Sequence, residues 1–175
     1  GGSLTLEGRR QATQLADSLR DRRVAHIWSS DAARCVQTAE IVAARLGVGV
    51  TTSTALREVH VGDLLGQPFS RAALEAVTRR WYDGSLDVGF PGGETGHDVV
   101  ARFRDELASI ADQHRGETVL VVAHQEVASL ALPLLADNLT GALTADRRLD
   151  NGEAVELVVD ADGWQLARWG SDSLV

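Results

Sequence analysis

Apolar positions along this chain recur with two periods, and the two alternate. From Thr5 to about Asp21, Ala12, Leu15, Ala16 and Leu19 fall at i, i+3, i+4 and i+7, one face of a helix. Val24 to Trp28 is an apolar run of strand length, and Ser29-Ser30-Asp31 behind it supplies N-cap residue types for the next helix. That helix turns Val36, Ala39, Ala43 and Leu46 inward and stops at Gly47. Val48 to Thr52 reads as a strand, Leu56 to Phe69 as an irregular Gly-containing segment, and Ser70 to Tyr82 as a helix with Ala73, Leu74, Val77 and Trp81 on one side. Pro91-Gly92-Gly93 marks a loop. Val99, Val100, Phe103, Leu107, Ile110 and Ala111 then trace an amphipathic helix ending near Gly116.

Thr118 to Ala123 is a continuous apolar run, the pattern of a strand covered by helices on both faces. Glu126 to Leu135 reads as a helix bent or stopped near Pro133. Glu153 to Asp160 and Trp164 to Trp169 read as strands joined by the turn Asp160-Ala161-Asp162-Gly163. Strands alternating with helices predict an α/β fold: a three-layer α/β/α domain with a mostly parallel central sheet, spanning 1–175 without a linker or repeat.

Composition narrows the function classes. The net charge is −8, and all 17 basic residues are arginine. An acidic chain is a poor partner for nucleic acid or an anionic membrane surface, but a local arginine cluster still suits a small anion. The single cysteine, Cys35, argues against a disulfide-built secreted domain. With no 18-residue apolar stretch and no leader pattern, a cytoplasmic protein is the expectation. The chain has no methionine and opens Gly1-Gly2-Ser3-Leu4, so it could begin inside a longer sequence.

Parallel α/β sheets bind ligands beyond the carboxyl ends of their strands, which directs attention to the residues after Trp28 and after Ala123. Arg34 lies in the first turn of a helix, where free N–H groups and the helix dipole favour anions, and its planar fork matches phosphate oxygens. His124 follows an apolar strand; neutral, it can hydrogen-bond a phosphoryl oxygen, and charged, it can stabilise one. Glu58 sits in a partly apolar segment that could raise its pKa and suit it to protonating a leaving oxygen. Each has a plainer reading: a solvated arginine, a structural histidine, and a glutamate paired with Arg57 or a neighbouring arginine.

Five segments occur in order: Leu4 to Ala12 in the form LTxxGxxQA, Ser29 to Ala39 in the form SSxxxRxxQTA, Leu56 to Gly66 in the form LxExxxGxxxG, Pro91-Gly92-Gly93-Glu94-Thr95, and Val121-Val122-Ala123-His124. Together they resemble the histidine phosphatases, the phosphoglycerate-mutase-like superfamily: its helix behind the catalytic loop, its second arginine motif, its acid segment, its PGGES loop and its second-histidine strand. The Leu56 to Gly66 run is close to the form in cofactor-dependent phosphoglycerate mutases. The resemblance implies attack by a histidine on phosphorus, a phosphohistidine intermediate, and phosphoryl charge neutralised by arginines and a second histidine. Arg34, Glu58 and His124 would then be a phosphate arginine, the acid/base and the second pocket histidine. Ser30, Thr95, His97 and Gln125 join Arg34 and His124 as candidate substrate contacts, with His60 a further candidate. Trp81 and Tyr82 read as packing aromatics ahead of a pocket cover. No metal or cofactor is expected.

The chain departs from the family pattern twice. The Arg-His-Gly motif carrying the nucleophile does not occur in these residues, so the strand and loop bearing it are expected upstream of Gly1. After His124 the family usually has glycine; here Gln125-Glu126 follows, and a second carboxylate could oppose an anion. The leading expectation is a phosphomonoester phosphatase acting on a small phosphorylated metabolite. The short Gly66–Pro91 segment and His-Gln-Glu in place of the mutase HGNS form weigh against a phosphoglycerate mutase, one alternative. A non-catalytic phosphoester-binding or interaction relative is the other. The last hairpin or the Ser70–Tyr82 helix could serve a homodimer.

Overall fold

The computed structural model describes residues 2–68, 70–139 and 149–174. Helix α1 (Leu6–Ser18) starts at Thr5, whose hydroxyl accepts the Gly8 N–H at 3.1 Å. A 3-10 turn (Arg20–Arg22) leads into β1 (Val24–Ser30), followed by α2 (Ala33–Leu46). Gly47 ends α2 at φ 72°, the left-handed conformation that a residue without Cβ takes most readily. Then come β2 (Gly49–Ser53), α3 (Arg71–Tyr82), α4 (Gly96–Gln113), β3 (Thr118–Val122) and α5 (Gln125–Leu135). The described chain closes with β4 (Val155–Asp160), β5 (Gly163–Trp169) and the two-residue β6 (Asp172–Ser173).

Among the described residues the strands form two sheets. β2-β1-β3 is parallel throughout, with β1 central. β4-β5-β6 is a separate antiparallel meander, so the parallel sheet is smaller than the strand count suggested and the last hairpin does not join it among the described residues. The period-2 alternation of strands sorts side chains into layers. Ile27, Leu120 and Val122 pack with Ala16 of α1 and Ala39, Val42 and Ala43 of α2. Trp28, Val119 and Val121 face the other way, onto a core built from α4, α5, Trp81 of α3 and Leu166 and Trp169 of β5. This is the expected α/β architecture with helices on both faces. The meander is tied to the segment after α5: Asn138 receives the Leu166 N–H and donates to the Leu166 carbonyl, both at 2.9 Å.

α5 ends at Leu135 as its pattern predicts, with Pro133 inside it. Two local expectations are corrected. Ser29 and Ser30 are the last residues of β1 and fully buried; α2 is preceded instead by Ala32, with no side-chain cap. Also, β3 is not sealed on both faces: Val119, Leu120, Val121 and Val122 are only half-buried. One edge of β3 pairs with β1, and the other borders a cavity of about 840 Å³. β4 residues Val155, Leu157 and Val159 line the same cavity, as do Leu15 of α1 and Phe103 and Leu107 of α4.

Candidate active site

Arg34, Glu58 and His124 line one end of this cavity, brought there by three different elements. β1 and β3 lie side by side, so the residues following them meet. His124, 7% exposed, caps the start of α5 just beyond β3. Arg34 is the second residue of α2, just beyond β1, and its Nη2 lies 2.7 Å from His124 Nδ1. A guanidinium only donates, so Nδ1 is the acceptor and the imidazole proton sits on Nε2. Nε2 then donates to Ser30 Oγ at 2.8 Å, and Ser30 Oγ also accepts the Ala32 N–H. Burial, and after it the charges of Arg34 and Arg102, lower the His124 pKa to about 4. His124 is therefore neutral at physiological pH in this arrangement. Among the described residues no carboxylate lies within ion-pair distance of Arg34, which leaves its charge open to an anion in the cavity.

Glu58 has no arginine partner among the described residues. Arg57 turns instead to Asp31, with its Nε donating at 2.7 Å. The Glu58 carboxylate accepts the N–H groups of Val59 (3.0 Å), Glu126 (3.2 Å) and Val127 (3.0 Å). The last two are free donors of the first turn of α5, so Glu58 occupies the positive end of that helix. Burial nonetheless pushes its pKa above the ordinary glutamate value; the three N–H bonds oppose that push and the nearby Glu126 charge adds to it. A carboxyl group held this way keeps its proton to higher pH than a solvated one, as a general acid requires.

The loop carrying Glu58 is fixed by a pair that sequence reasoning missed. Arg102 of α4 donates to both oxygens of Glu94, at 2.7 and 2.9 Å, and to the carbonyls of Ala55 (2.6 Å) and Arg57 (3.0 Å). Glu94 in turn accepts the His60 N–H at 2.8 Å. The two loops press so closely that a Cβ on Gly93 would stand 2.3 Å from the His60 carbonyl oxygen, and one on Gly62 2.1 Å from that of Pro91. The PGGE segment thus braces the loop of the acid. Only the glycines hinted at this close approach; an Arg–Glu pair eight residues apart, across a loop and a helix start, follows no periodicity.

The remaining candidates divide. Gln125 lines the cavity and donates from Nε2 to the Leu149 carbonyl at 2.7 Å. Ser30 is fully buried behind His124 and does not border the cavity; it orients the ring. Thr95 does not border it either: it is the N-cap of α4, in a capping box with Asp98. His97 is exposed in the first turn of α4 with Nε2 3.3 Å from Asp87, and His60 is exposed as well. Glu126 accepts the Tyr82 hydroxyl at 2.8 Å. Cys35 Sγ lies 3.7 Å from His124 Nε2, and burial pushes its thiol pKa up. Among the described residues no group of three or more His, Cys, Asp and Glu side chains is placed to hold a metal ion, and no helix is long and apolar enough to cross a membrane.

The profile of the histidine phosphatase superfamily (branch 1) matches residues 2–172, and the chain belongs to that superfamily. It is 33% identical over 172 residues to phosphoglycerate mutase-like protein 4 of Arabidopsis thaliana, covering 95% of this chain and 73% of that one. It is 33% identical over 149 residues to a probable phosphoglycerate mutase of Salmonella choleraesuis, covering 83% of this chain and 67% of the relative. Among solved structures, a mycobacterial glucosyl-3-phosphoglycerate phosphatase in complex with VO3 superposes with a TM-score of 0.80 at 27% identity, over 97% of this chain and 88% of the other. A Bacillus stearothermophilus protein, YhfR, gives 0.79 at 27% identity, over 97% and 85%.

Proposed function

We propose that the protein is a phosphomonoester phosphatase that works on a small phosphorylated metabolite through a phosphohistidine. The observation that carries this reading is the open guanidinium of Arg34, held against neutral His124 in the same cavity as a glutamate of raised pKa. The attacking histidine is supplied from upstream of Gly1, from a strand and loop that precede the α1 helix. The cavity supports that part: it is apolar along β3 and β4, and Gly2, Ser3 and Leu4 reach its lining beside Arg34 and His124. On this reading 1–175 is the greater part of one domain.

Chemically, the histidine nitrogen attacks phosphorus and the P–O bond to the alcohol breaks. Glu58 gives its proton to the departing oxygen. Water then attacks the phosphohistidine, Glu58 takes a proton back, and inorganic phosphate leaves. Arg34 carries the positive charge that faces the equatorial oxygens, with neutral His124 beside it, so the transition state is stabilised by side chains and no metal is called for. Cytoplasmic residence, consistent with the single buried thiol of Cys35, belongs to the same proposal. Arg34→Ala in the full-length protein should lower kcat/KM for an aryl phosphate about 100- to 1,000-fold with the far-UV spectrum unchanged. An unchanged rate would remove Arg34 from the site and take the phosphatase reading with it.

A further inference from the structure

Glu58 borders two cavities. The second, of about 270 Å³, is lined by Glu58 and Gln125, which also line the large one, and by Val61 and Leu74. Its polar wall is Glu126, with Arg71 and Glu75 from α3 facing it. Glu126 is the second residue of α5, its own N–H is one of those that hold Glu58, and Tyr82 fixes its carboxylate at 2.8 Å. Arg71 does not balance this charge freely: its Nε donates to Glu75 one helical turn away, at 2.7 Å.

We infer that this smaller cavity receives the leaving alcohol, and that Glu126 makes it select uncharged, hydroxyl-bearing alcohols over those carrying a carboxylate or a second phosphate. The inference rests on the phosphatase reading above. A leaving oxygen must sit beside the acid that protonates it, and the group attached to that oxygen must extend away from the phosphate end. Glu58 and Gln125 line both cavities, and Arg34 and His124 line only the large one, so the second is the space beside the acid into which that group extends. There Glu126 meets it as a fixed hydrogen-bond acceptor: a good partner for hydroxyls, and a like charge to any anion. The departure from the family pattern after His124 thus becomes a selectivity device rather than a defect. The same carboxylate helps hold the proton on Glu58.

The experiment compares two esters in the full-length protein, glycerol 3-phosphate and 3-phosphoglycerate, which differ by a carboxylate in the leaving group. The ratio of their kcat/KM values should favour the glycerol ester by about ten-fold or more at low salt, carried mainly in KM, and shrink as salt screens the pair. Glu126→Gln keeps the shape and the Tyr82 bond but removes the charge; it should bring the ratio to within about three-fold. Should that variant fold poorly, the salt dependence in the unsubstituted protein probes the same charge. A ratio near one, a preference for 3-phosphoglycerate, or a ratio untouched by Glu126→Gln overturns the inference. In all three cases, hydrolysis of p-nitrophenyl phosphate keeps the phosphatase reading standing. Loss of turnover on every ester overturns both.

Discussion

β1 and β3 are neighbours in one parallel sheet, and each delivers one half of the Arg34–His124 pair. Their surroundings differ. β1 has a strand on either side, α2 packed on one face and the larger core on the other; Ile27, Ser29 and Ser30 are fully buried. β3 is the more apolar of the two, Thr-Val-Leu-Val-Val, yet Val119, Leu120, Val121 and Val122 are only half-buried because one edge and part of both faces border the large cavity. Apolar sequence states what a strand is fit to touch; which neighbour it touches is decided elsewhere in the chain. β3 has the sequence of a central strand and the neighbours of an edge strand, a combination that proteins ordinarily avoid.

Substitution on the two strands measures that difference. Ile27→Ala empties a fully enclosed site and should cost about 3 kcal/mol. Val121→Ala, in a wall already open to the cavity, should cost about 1 kcal/mol. Urea unfolding of residues 1–175 alone would show the gap. The same pair in a longer chain that fills the cavity would show the two costs converging. Equal costs in residues 1–175 would mean that β3 is as well covered as β1.

The reach of the sequence follows the same division. Arg34, Glu58 and His124 were legible because each lies within a residue or a few of a strand end or a glycine-marked turn, places where chain order alone implies position. The helices were legible because their apolar faces repeat. The extension of β1 through Ser29 and Ser30 was not, since serine is as much a cap residue as a strand residue and only its buried partners settle which. The bracing of the Glu58 loop by Arg102 and Glu94, the Tyr82–Glu126 bond and the Gln125–Leu149 bond all join residues by tertiary geometry alone. Thr95 shows the opposite case: among the described residues it is the N-cap of α4 and does not border the cavity, a local role that the motif did not suggest.

The second prediction concerns the bond that joins the two strand ends. The unfolded chain protonates His124 near pH 6.5, the folded protein only near 4. Between these values the unfolded state binds more protons, so stability falls as pH falls through this window and is intact above it. At about 1.4 kcal/mol per pKa unit the effect is at most about 3 kcal/mol. Glu58 acts with the opposite sign. Its folded pKa is raised, so its contribution is present at low pH and lost as pH rises above 4.5 through that raised value. The difference between wild type and His124→Gln removes the Glu58 part and should leave a slope confined to pH 4 to 6.5. A difference curve that is flat across this range would mean that the ring is as well hydrated as in the unfolded chain.

The smallest effect lies where the halves are tied at the surface. Arg22, just ahead of β1, pairs with Glu156 on β4, linking the parallel sheet to the meander. Both side chains are partly solvated, 42% and 34% exposed, so the pair is worth about 0.5 kcal/mol. Arg22→Ala should lower stability by that amount at about 50 mM salt and by almost nothing at about 1 M, where the screening length falls to about 3 Å. The pair nevertheless reports on the comparison between the strands. If nothing lies between β3 and β4, this surface contact is one of few holding β4 against the sheet, and its removal should also speed amide exchange in β4 while leaving β1 unchanged. If a strand fills that space, β4 is held by a ladder of hydrogen bonds and exchange there should not respond. Exchange rates in β4 of the variant, set against those of β1 in the same sample, would separate the two cases even where the stability change is too small to measure.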